Sequence, residues 1–181
     1  MNSNRSGQAW ALTVLTPIAP GREQELRGYL EGLGAAGGLS PLARVPRTHF
    51  ARWVIVPDFV NDAAQPAQDS LGCQYLLFTA NVDGSFDGYL DGLCSQIVPE
   101  VARIWGCCIG YPQPDTVTAL KAYLRHNRID TGFFFSAYPD ASVAEVLHSL
   151  DVRERMIAFA AGAQHLPALS VRDAFVKEFA P

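Results

Sequence analysis

The chain has 181 residues, which is enough for one well-buried domain and short for two. Fourteen basic and eighteen acidic residues give a formal charge of −4, and this balance argues against nucleic acid as a partner, because nucleic acid attracts basic surfaces. No stretch approaches the ~18 uninterrupted apolar residues of a membrane span, so we expect no membrane partner. The first eight residues, MNSNRSGQ, contain no hydrophobic signal region. We therefore expect a disordered tail over residues 1–8 and a single domain over residues 9–181.

The four cysteines are Cys73, Cys94, Cys107 and Cys108. They show neither a CxxC motif nor Cys/His ligand spacing, so we expect no zinc or other metal site. The adjacent Cys107 and Cys108 can form a strained vicinal disulfide, or they can remain reduced and pack as small hydrophobes. The second interpretation is preferred and fits a cytoplasmic protein. The basic residues are nearly all arginine, which is typical of a GC-rich bacterial genome.

Alternating apolar residues predict three strands in the first half of the chain. The first covers Trp10–Thr16 and is followed by an amphipathic helix in REQELRGYLEGLG. The second covers Thr48–Val56 and the third Tyr75–Val82. The polar segment between the second and third strands is predicted to be a surface loop.

An amphipathic helix is predicted after the third strand. Asp83-Gly84 supplies a turn, and Ser85 is placed to cap the helix. Apolar residues then recur at helical spacing as far as Ile104. Pro99 interrupts them, which predicts either a kink or a second helix starting there.

Further elements are predicted in the last third of the chain. Residues 116–127 have a helical pattern with Asp115 as the expected cap, and GFFFSAY predicts a fourth strand at Phe133–Tyr138. Three C-terminal helices are expected: one opening at Asp140 or Ser142, one over 152–161 and one over 171–179.

This order of elements predicts an α+β fold of the ferredoxin-like type, with a four-stranded antiparallel sheet, helices on one face and extra C-terminal helices. The second face of the sheet is partly apolar, so something must cover it. A second subunit would cover it in a dimer of the α+β barrel type. The C-terminal helices of the same chain are the alternative.

Two kinds of resemblance accompany this pattern. The first strand and the following PGREQELRGYLEGL resemble the opening of dimeric α+β barrel proteins, including antibiotic-biosynthesis monooxygenase-like ones. The segments HFARWVI, LLFTANVDGSFDGYLDGL, IWGCCIGYP and SAYPDASVAEV resemble an uncharacterised bacterial family. The resemblance to dimeric α+β barrel proteins implies a homodimer. Some members of the wider superfamily bind heme (dye-decolourising peroxidases and chlorite dismutases). Their motifs are not found in this chain. The cofactor is left undetermined, and heme is one candidate.

The candidate catalytic residues are His49, whose ordinary pKa lies near neutrality, and Arg52, which can clamp an anion. Strict alternation would place them on opposite faces of their strand, unless the strand bulges. Structural roles are the alternative: Arg52 would pair with Asp58 or Asp83, and His49 would be a satisfied structural histidine. The candidate substrate-binding residues are Asn81, Asp83, Trp105, Tyr111 and Tyr138.

Two functional classes follow from these residues. In the first, the protein binds a small aromatic or lipid-like molecule at the open sheet face and is an enzyme, with oxygen or peroxide chemistry among the options. In the second, it is a non-catalytic ligand-binding or protein-interaction module. No phosphate-binding loop, serine nucleophile motif or metal-ligand cluster decides between them.

Overall fold

The computed structural model describes residues 4–35, 39–113 and 116–180. In these residues the chain is an α+β protein with one four-stranded antiparallel sheet and six α-helices. The strands are β1 (Arg5–Ser6), β2 (Ala9–Pro17), β3 (Thr48–Val56) and β4 (Tyr75–Asp83). The predicted α+β class and the three long strands are therefore confirmed.

The strand order in the sheet is β1-β2-β4-β3. β4 lies in the centre and pairs antiparallel with β2, from Ala9 opposite Asp83 to Pro17 opposite Tyr75. On its other side β4 pairs with β3, which forms one edge of the sheet. The alternation of side chains along the three long strands gives the sheet one buried face and one partly open face.

The predicted fourth strand at Phe133–Tyr138 is wrong, because residues 132–138 are irregular. The edge of β2 that such a strand would occupy is already paired. β1 takes one part of that edge. Elsewhere along it the Leu15 N–H donates to the Asn127 carbonyl at 3.0 Å, and the Ile129 N–H donates to the Thr13 carbonyl at 2.9 Å. A full ferredoxin-like sheet needs a fourth long strand at this edge.

The first residues join the sheet through a tight hairpin. Residues 5 and 6, which the sequence assigns to a tail, pair with β2. Gly7 in the hairpin has φ +61°, and a Cβ atom there would lie 2.3 Å from the Pro139 carbonyl oxygen. Only glycine allows this close approach. The neighbouring Gln8 N–H donates to the same oxygen at 2.7 Å, which holds the irregular segment against the hairpin.

The helices are α1 (Glu23–Ala35), α2 (Phe86–Gln96), α3 (Val98–Trp105), α4 (Val117–His126), α5 (Val143–Ala163) and α6 (Ala168–Phe179), and a short 3₁₀ helix covers Pro41–Arg44. Ser85 caps α2 as predicted, since its hydroxyl accepts from the Gly88 N–H at 3.1 Å. A separate helix, α3, starts at Val98 with Pro99 in its first turn, so the second of the two expectations for Pro99 is confirmed to within one residue. Thr116 caps α4, whereas the predicted cap Asp115 lies outside the described residues.

One hydrophobic core lies between the buried face of the sheet and the helices. Its largest fully buried side chains include Trp105, Tyr89 and Phe78. Leu26 of α1 and Leu124 of α4 are also in this core, so α1 to α4 cover the same face of the sheet. None of the described helices has the length and apolar character needed to cross a bilayer.

The chain divides into two compact units, Met1–Val143 and Ala144–Pro181. The second unit contains α6 and nearly all of α5. α5 is one continuous helix of 21 residues, where the sequence predicted two shorter helices. Within this unit the ring of Phe159 contacts Phe175 and Phe179 at 5.6 and 5.8 Å, and Arg155 lies over the Phe179 ring.

All four cysteines are free, and Cys94, Cys107 and Cys108 are buried. Burial raises the pKa of Cys94 and of Cys108 to about 11, because a thiolate is poorly solvated in the core. Burial also raises the pKa of Cys107. These three thiols therefore pack as neutral groups, which agrees with the preferred interpretation of Cys107 and Cys108 as small hydrophobes.

Because these thiols are buried, we expect the protein to lose stability at alkaline pH. The folded pKa of Cys94 and of Cys108 is above the ordinary value of 9.0, so between pH 9 and 11 the folded state binds more protons than the unfolded state. The free energy of unfolding should fall with rising pH across this window, by up to about 2–3 kcal/mol per thiol. Urea unfolding at pH 8 and pH 10.5 measures the difference. The Cys94→Ala/Cys108→Ala variant should show a smaller fall, and an equal fall would contradict the assignment.

Candidate functional site

The open face of the sheet contains a shallow depression of about 460 Å³ at the β3–β4 pair. It is lined by Phe50, Ala51, Arg52, Thr79, Ala80 and Asn81. Two cross-strand pairs form its floor, Phe50 opposite Asn81 and Arg52 opposite Thr79. The Phe50 side chain is 76% exposed, so the lining of the depression includes a large unburied aromatic ring.

Arg52 lies in the depression without a carboxylate partner among the described residues. Its Nε–H donates to the Thr79 hydroxyl at 3.1 Å. The expected structural partners are engaged elsewhere: Asp58 accepts from the Phe59 and Leu71 N–H groups, which lowers its pKa, and Asp83 binds His49. The structural alternative for Arg52, pairing with Asp58 or Asp83, is therefore wrong.

His49 lies at a β-bulge, where the pairing register shifts between Thr48 and Phe50. Thr48 is opposite Val82 and Phe50 is opposite Asn81, so His49 is an extra residue in the ladder. Its Nε2 lies 2.6 Å from Asp83 Oδ1, and Asp83 is on the same side of β4 as Asn81. The prediction from strict alternation, that His49 and Arg52 lie on opposite faces of the strand, is therefore wrong. The strand bulges at His49, which is the case that the prediction excepted.

Asp83 holds the imidazole from a buried position. Only 10% of its side chain is exposed, compared with 20% for His49. Its second carboxylate oxygen, Oδ2, accepts from the Val143 N–H at 2.7 Å. Because a carboxylate accepts, the hydrogen bond with Asp83 favours a proton on Nε2 of His49, and in the neutral tautomer with that proton the lone pair is on Nδ1. Asp83 can therefore hold His49 in one orientation as a general base.

The other predicted site residues are not all brought together with this pair. Asn81 lines the depression. Trp105 is fully buried in the core, with its ring 5.3 Å from Phe78, on the face of the sheet opposite to Arg52. Tyr111 packs against Tyr123, with the two ring centres 6.1 Å apart. Tyr138 is 78% exposed on the irregular segment before α5.

Three contributors to the site were missing from the predicted set. Phe50 and Thr79 line the depression, and the Val143 N–H anchors Asp83. Alternation already places Phe50 and Thr79 on the same face as Arg52, so they could have been included. A backbone N–H 60 residues after Asp83 has no signal in the sequence.

The site residues do not fit heme ligation through His49 Nε2, because Asp83 already holds that nitrogen. A heme ligand needs a free ring nitrogen for the iron. In the described parts of the chain no three His, Cys, Asp or Glu side chains are grouped as ligands of a metal ion.

Comparison with known proteins finds no matching family, no similar curated protein and no similar solved structure.

Proposed function

We propose that the protein binds a small, partly apolar anion, such as an aromatic or lipid-like carboxylate, in the depression between β3 and β4, and that His49 accepts a proton from it. The observation that carries the proposal is the position of Arg52. This guanidinium is exposed beside an aromatic ring, and no carboxylate among the described residues neutralises it. Such an arrangement favours a ligand that supplies both the negative charge and an apolar surface.

The ligand would contact two kinds of surface. Phe50 offers an aromatic face to a ring or an acyl chain. Arg52 and Asn81 offer hydrogen-bond donors to a carboxylate, and Thr79 orients the guanidinium through its hydroxyl. The sequence-derived expectation of a small aromatic or lipid-like molecule is thus retained and narrowed to anionic members of that class.

The His49–Asp83 pair supports an enzymatic role in preference to simple binding. A carboxylate that orients an imidazole is the arrangement by which enzymes hold a general base in one tautomer. The pair lies at the bulge directly before Phe50, and Phe50 and Asn81, the chain neighbours of this pair, line the depression. The reaction class proposed is proton transfer from a hydroxyl group of the bound carboxylate to Nδ1 of His49: the O–H bond breaks, its electron pair stays on the hydroxyl oxygen, and the ring becomes an imidazolium that Asp83 stabilises.

A second candidate function is a protein-interaction module. The observation in its favour is the set of exposed aromatic rings in the described part of the first unit, Phe50, Phe59, Phe133, Phe135 and Tyr138. Rings of this kind are enriched where proteins bind each other. In this alternative, His49 and Asp83 stabilise the bulge and take no part in chemistry.

We also propose that the sheet is of the ferredoxin-like type and that the protein is a homodimer. The order β2-β4-β3, with α1 between β2 and β3 and α2 after β4, matches three of the four strands of a ferredoxin-like sheet. A homodimer of the α+β barrel type would place a second copy over the depression. The predictions of a bacterial, cytoplasmic protein are kept as expectations.

Thermal unfolding with 2-naphthoate and its neutral counterpart 2-naphthamide tests the binding site. At tenfold its dissociation constant, 2-naphthoate should add about 1.4 kcal/mol of stability and raise Tm by about 3–5 °C. 2-Naphthamide should have a much smaller effect, because it carries no charge for Arg52. The Arg52→Ala variant should lose most of the shift, and Arg52→Lys should keep part of it.

Arg172→Ala serves as the matched control, because Arg172 is exposed on α6 and outside the depression. It should leave the naphthoate shift unchanged. Equal shifts with the acid and the amide, or a full shift in Arg52→Ala, would contradict the proposed site.

A further inference from the structure

The strand register arranges the side chains of the open sheet face in rows that run across β2, β4 and β3. Residues directly opposite each other in an antiparallel pair point to the same face, so each row has one residue from each strand. Thr13, Thr79 and Arg52 form one such row. The next row toward the bulge contains Asn81 and Phe50. These two rows hold the depression, and they are its polar half of the open face.

The two rows on the other side of Arg52, away from the bulge, have a different character. They contain aliphatic side chains, one proline and one tyrosine, which together we name the apolar patch: Leu15, Leu77, Val54, Pro17, Tyr75 and Val56. Val54 is 39% exposed and the other five are half-buried, so the patch is open to solvent. Its width across the three strands is about 10 Å, and its far row lies about 14 Å along the strands from the row of Arg52.

Charge is confined to one end of this face. The charged residues of β2, β3 and β4 are Arg52 and Asp83, and Asp83 already binds His49. The guanidinium of Arg52 donates to the Thr79 hydroxyl and has no carboxylate beside it in the described part of the chain. An uncompensated cation at the border of an apolar surface matches a ligand with an anionic head and an apolar tail.

We propose that the ligand of this site is a linear aliphatic carboxylate, with its head at Arg52 and its tail along the apolar patch, pointing away from His49. This inference rests on the proposed function, and it narrows the ligand from aromatic or lipid-like anions to lipid-like ones. An aromatic carboxylate would lie on Phe50 and leave the patch exposed to water. The aliphatic tail covers the larger apolar surface, because the patch has six residues and the other side of Arg52 offers one ring.

The dimensions of the apolar patch set the length of the tail. An extended hydrocarbon chain advances about 1.3 Å per carbon, because C–C bonds of about 1.5 Å alternate in a zigzag. A chain of about ten carbons therefore reaches from the row of Arg52 to the far row, which contains Tyr75 and Val56. Carbons beyond this length would extend past the patch into solvent.

Calorimetric titration of the full chain with hexanoate, octanoate, decanoate and dodecanoate, each below its micelle concentration, tests the inference. A methylene removed completely from water gains about fourfold in affinity, and one that lies on an open sheet is covered on one side, so we expect about twofold per methylene. The gain should stop near ten carbons, at one ligand per chain. Arg52→Ala should weaken the whole series by about the same factor and keep the gain per methylene.

A double variant tests the position of the tail. Val54→Thr/Leu77→Thr makes the near row more polar and keeps a residue that favours strands at Val54 and at Leu77. It should weaken decanoate about tenfold and leave 2-naphthoate binding unchanged. Val117→Thr is the matched control, because Val117 is 48% exposed on α4 and outside the sheet, so decanoate should bind normally. If circular dichroism shows that the double variant is unfolded, Val54→Thr alone should weaken decanoate about threefold.

Several results would overturn the inference. One is an equal dissociation constant for hexanoate and decanoate, and another is a gain per methylene that persists in Val54→Thr/Leu77→Thr. A third is a dimer that this variant dissociates while decanoate binding is unchanged, which would assign the apolar patch to contact between copies. All three leave the proposed function intact if the effect of 2-naphthoate still depends on Arg52. A naphthoate effect without that dependence would contradict the proposed function itself.

Discussion

Replacing Trp105 by alanine is expected to lower the free energy of unfolding by about 3–5 kcal/mol, the largest effect of any change considered for this chain. The ring is fully buried and packs edge-on against Phe78 and Trp53, at 5.3 and 6.1 Å between ring centres. Alanine would leave a cavity between α3 and the sheet that the packed neighbours cannot fill. Urea unfolding followed by circular dichroism measures the loss.

Two control variants separate packing from other causes. Trp105→Phe should cost much less, because it keeps most of the volume and removes an indole N–H that has no partner among the described residues. Trp10→Ala should also cost less, because Trp10 is only half-buried on β2. A Trp105→Ala protein of normal stability that no longer responds to naphthoate would instead support the substrate-binding role that the sequence suggested.

Replacing Asp83 by alanine is expected to lower the free energy of unfolding by about 2–4 kcal/mol, since it removes two hydrogen bonds of a buried carboxylate. His49 and the Val143 N–H would both lose their acceptor. Asp58→Ala is the matched control. Asp58 also accepts two hydrogen bonds, from the Phe59 and Leu71 N–H groups, but it is exposed, so its loss should cost only about 0.5–1 kcal/mol.

The Asp83→Asn variant also tests which nitrogen of the His49 imidazole carries the proton. The asparagine side chain can still accept from Val143, but its NH₂ group would donate to Nε2 of His49, so the ring proton should move to Nδ1. Nitrogen-15 NMR of the imidazole distinguishes the two tautomers. If the wild-type ring already carries its proton on Nδ1, Asp83 does not orient His49 in the way that the proposed base requires.

Local pattern predicted those parts of the fold in which each strand has a buried face. Leu76, Phe78 and Ala80 are buried and alternate with half-buried neighbours, because one face of β4 meets the helices, and the apolar run on that face is visible in the sequence. The Ser85 cap and the Pro99 boundary were predictable for a similar reason, since each depends on the chemistry of one residue.

The misassigned elements depend on partners that are distant in the chain. GFFFSAY has strand-like composition, yet residues 5–6 and 127–129 occupy the edge of β2 where it would pair. The bulge at His49 depends on pairing with β4, which no local pattern encodes. The environment of Arg52 was ambiguous for the same reason: the choice between a carboxylate and a hydroxyl partner depends on the register of β3 against β4.

The position of β3 at the edge of the sheet gives Arg52 a second consequence. In the described part of the chain, β3 pairs on one side only, and its run THFARWVIV is rich in residues that favour strands. An exposed edge of this kind invites another chain to pair with it and start an aggregate, and one charge in the middle of the run opposes this. Arg52→Ala would then lower solubility as well as ligand binding. Arg52→Lys keeps the protective charge but lacks the planar guanidinium, so it can separate resistance to aggregation from recognition of a carboxylate.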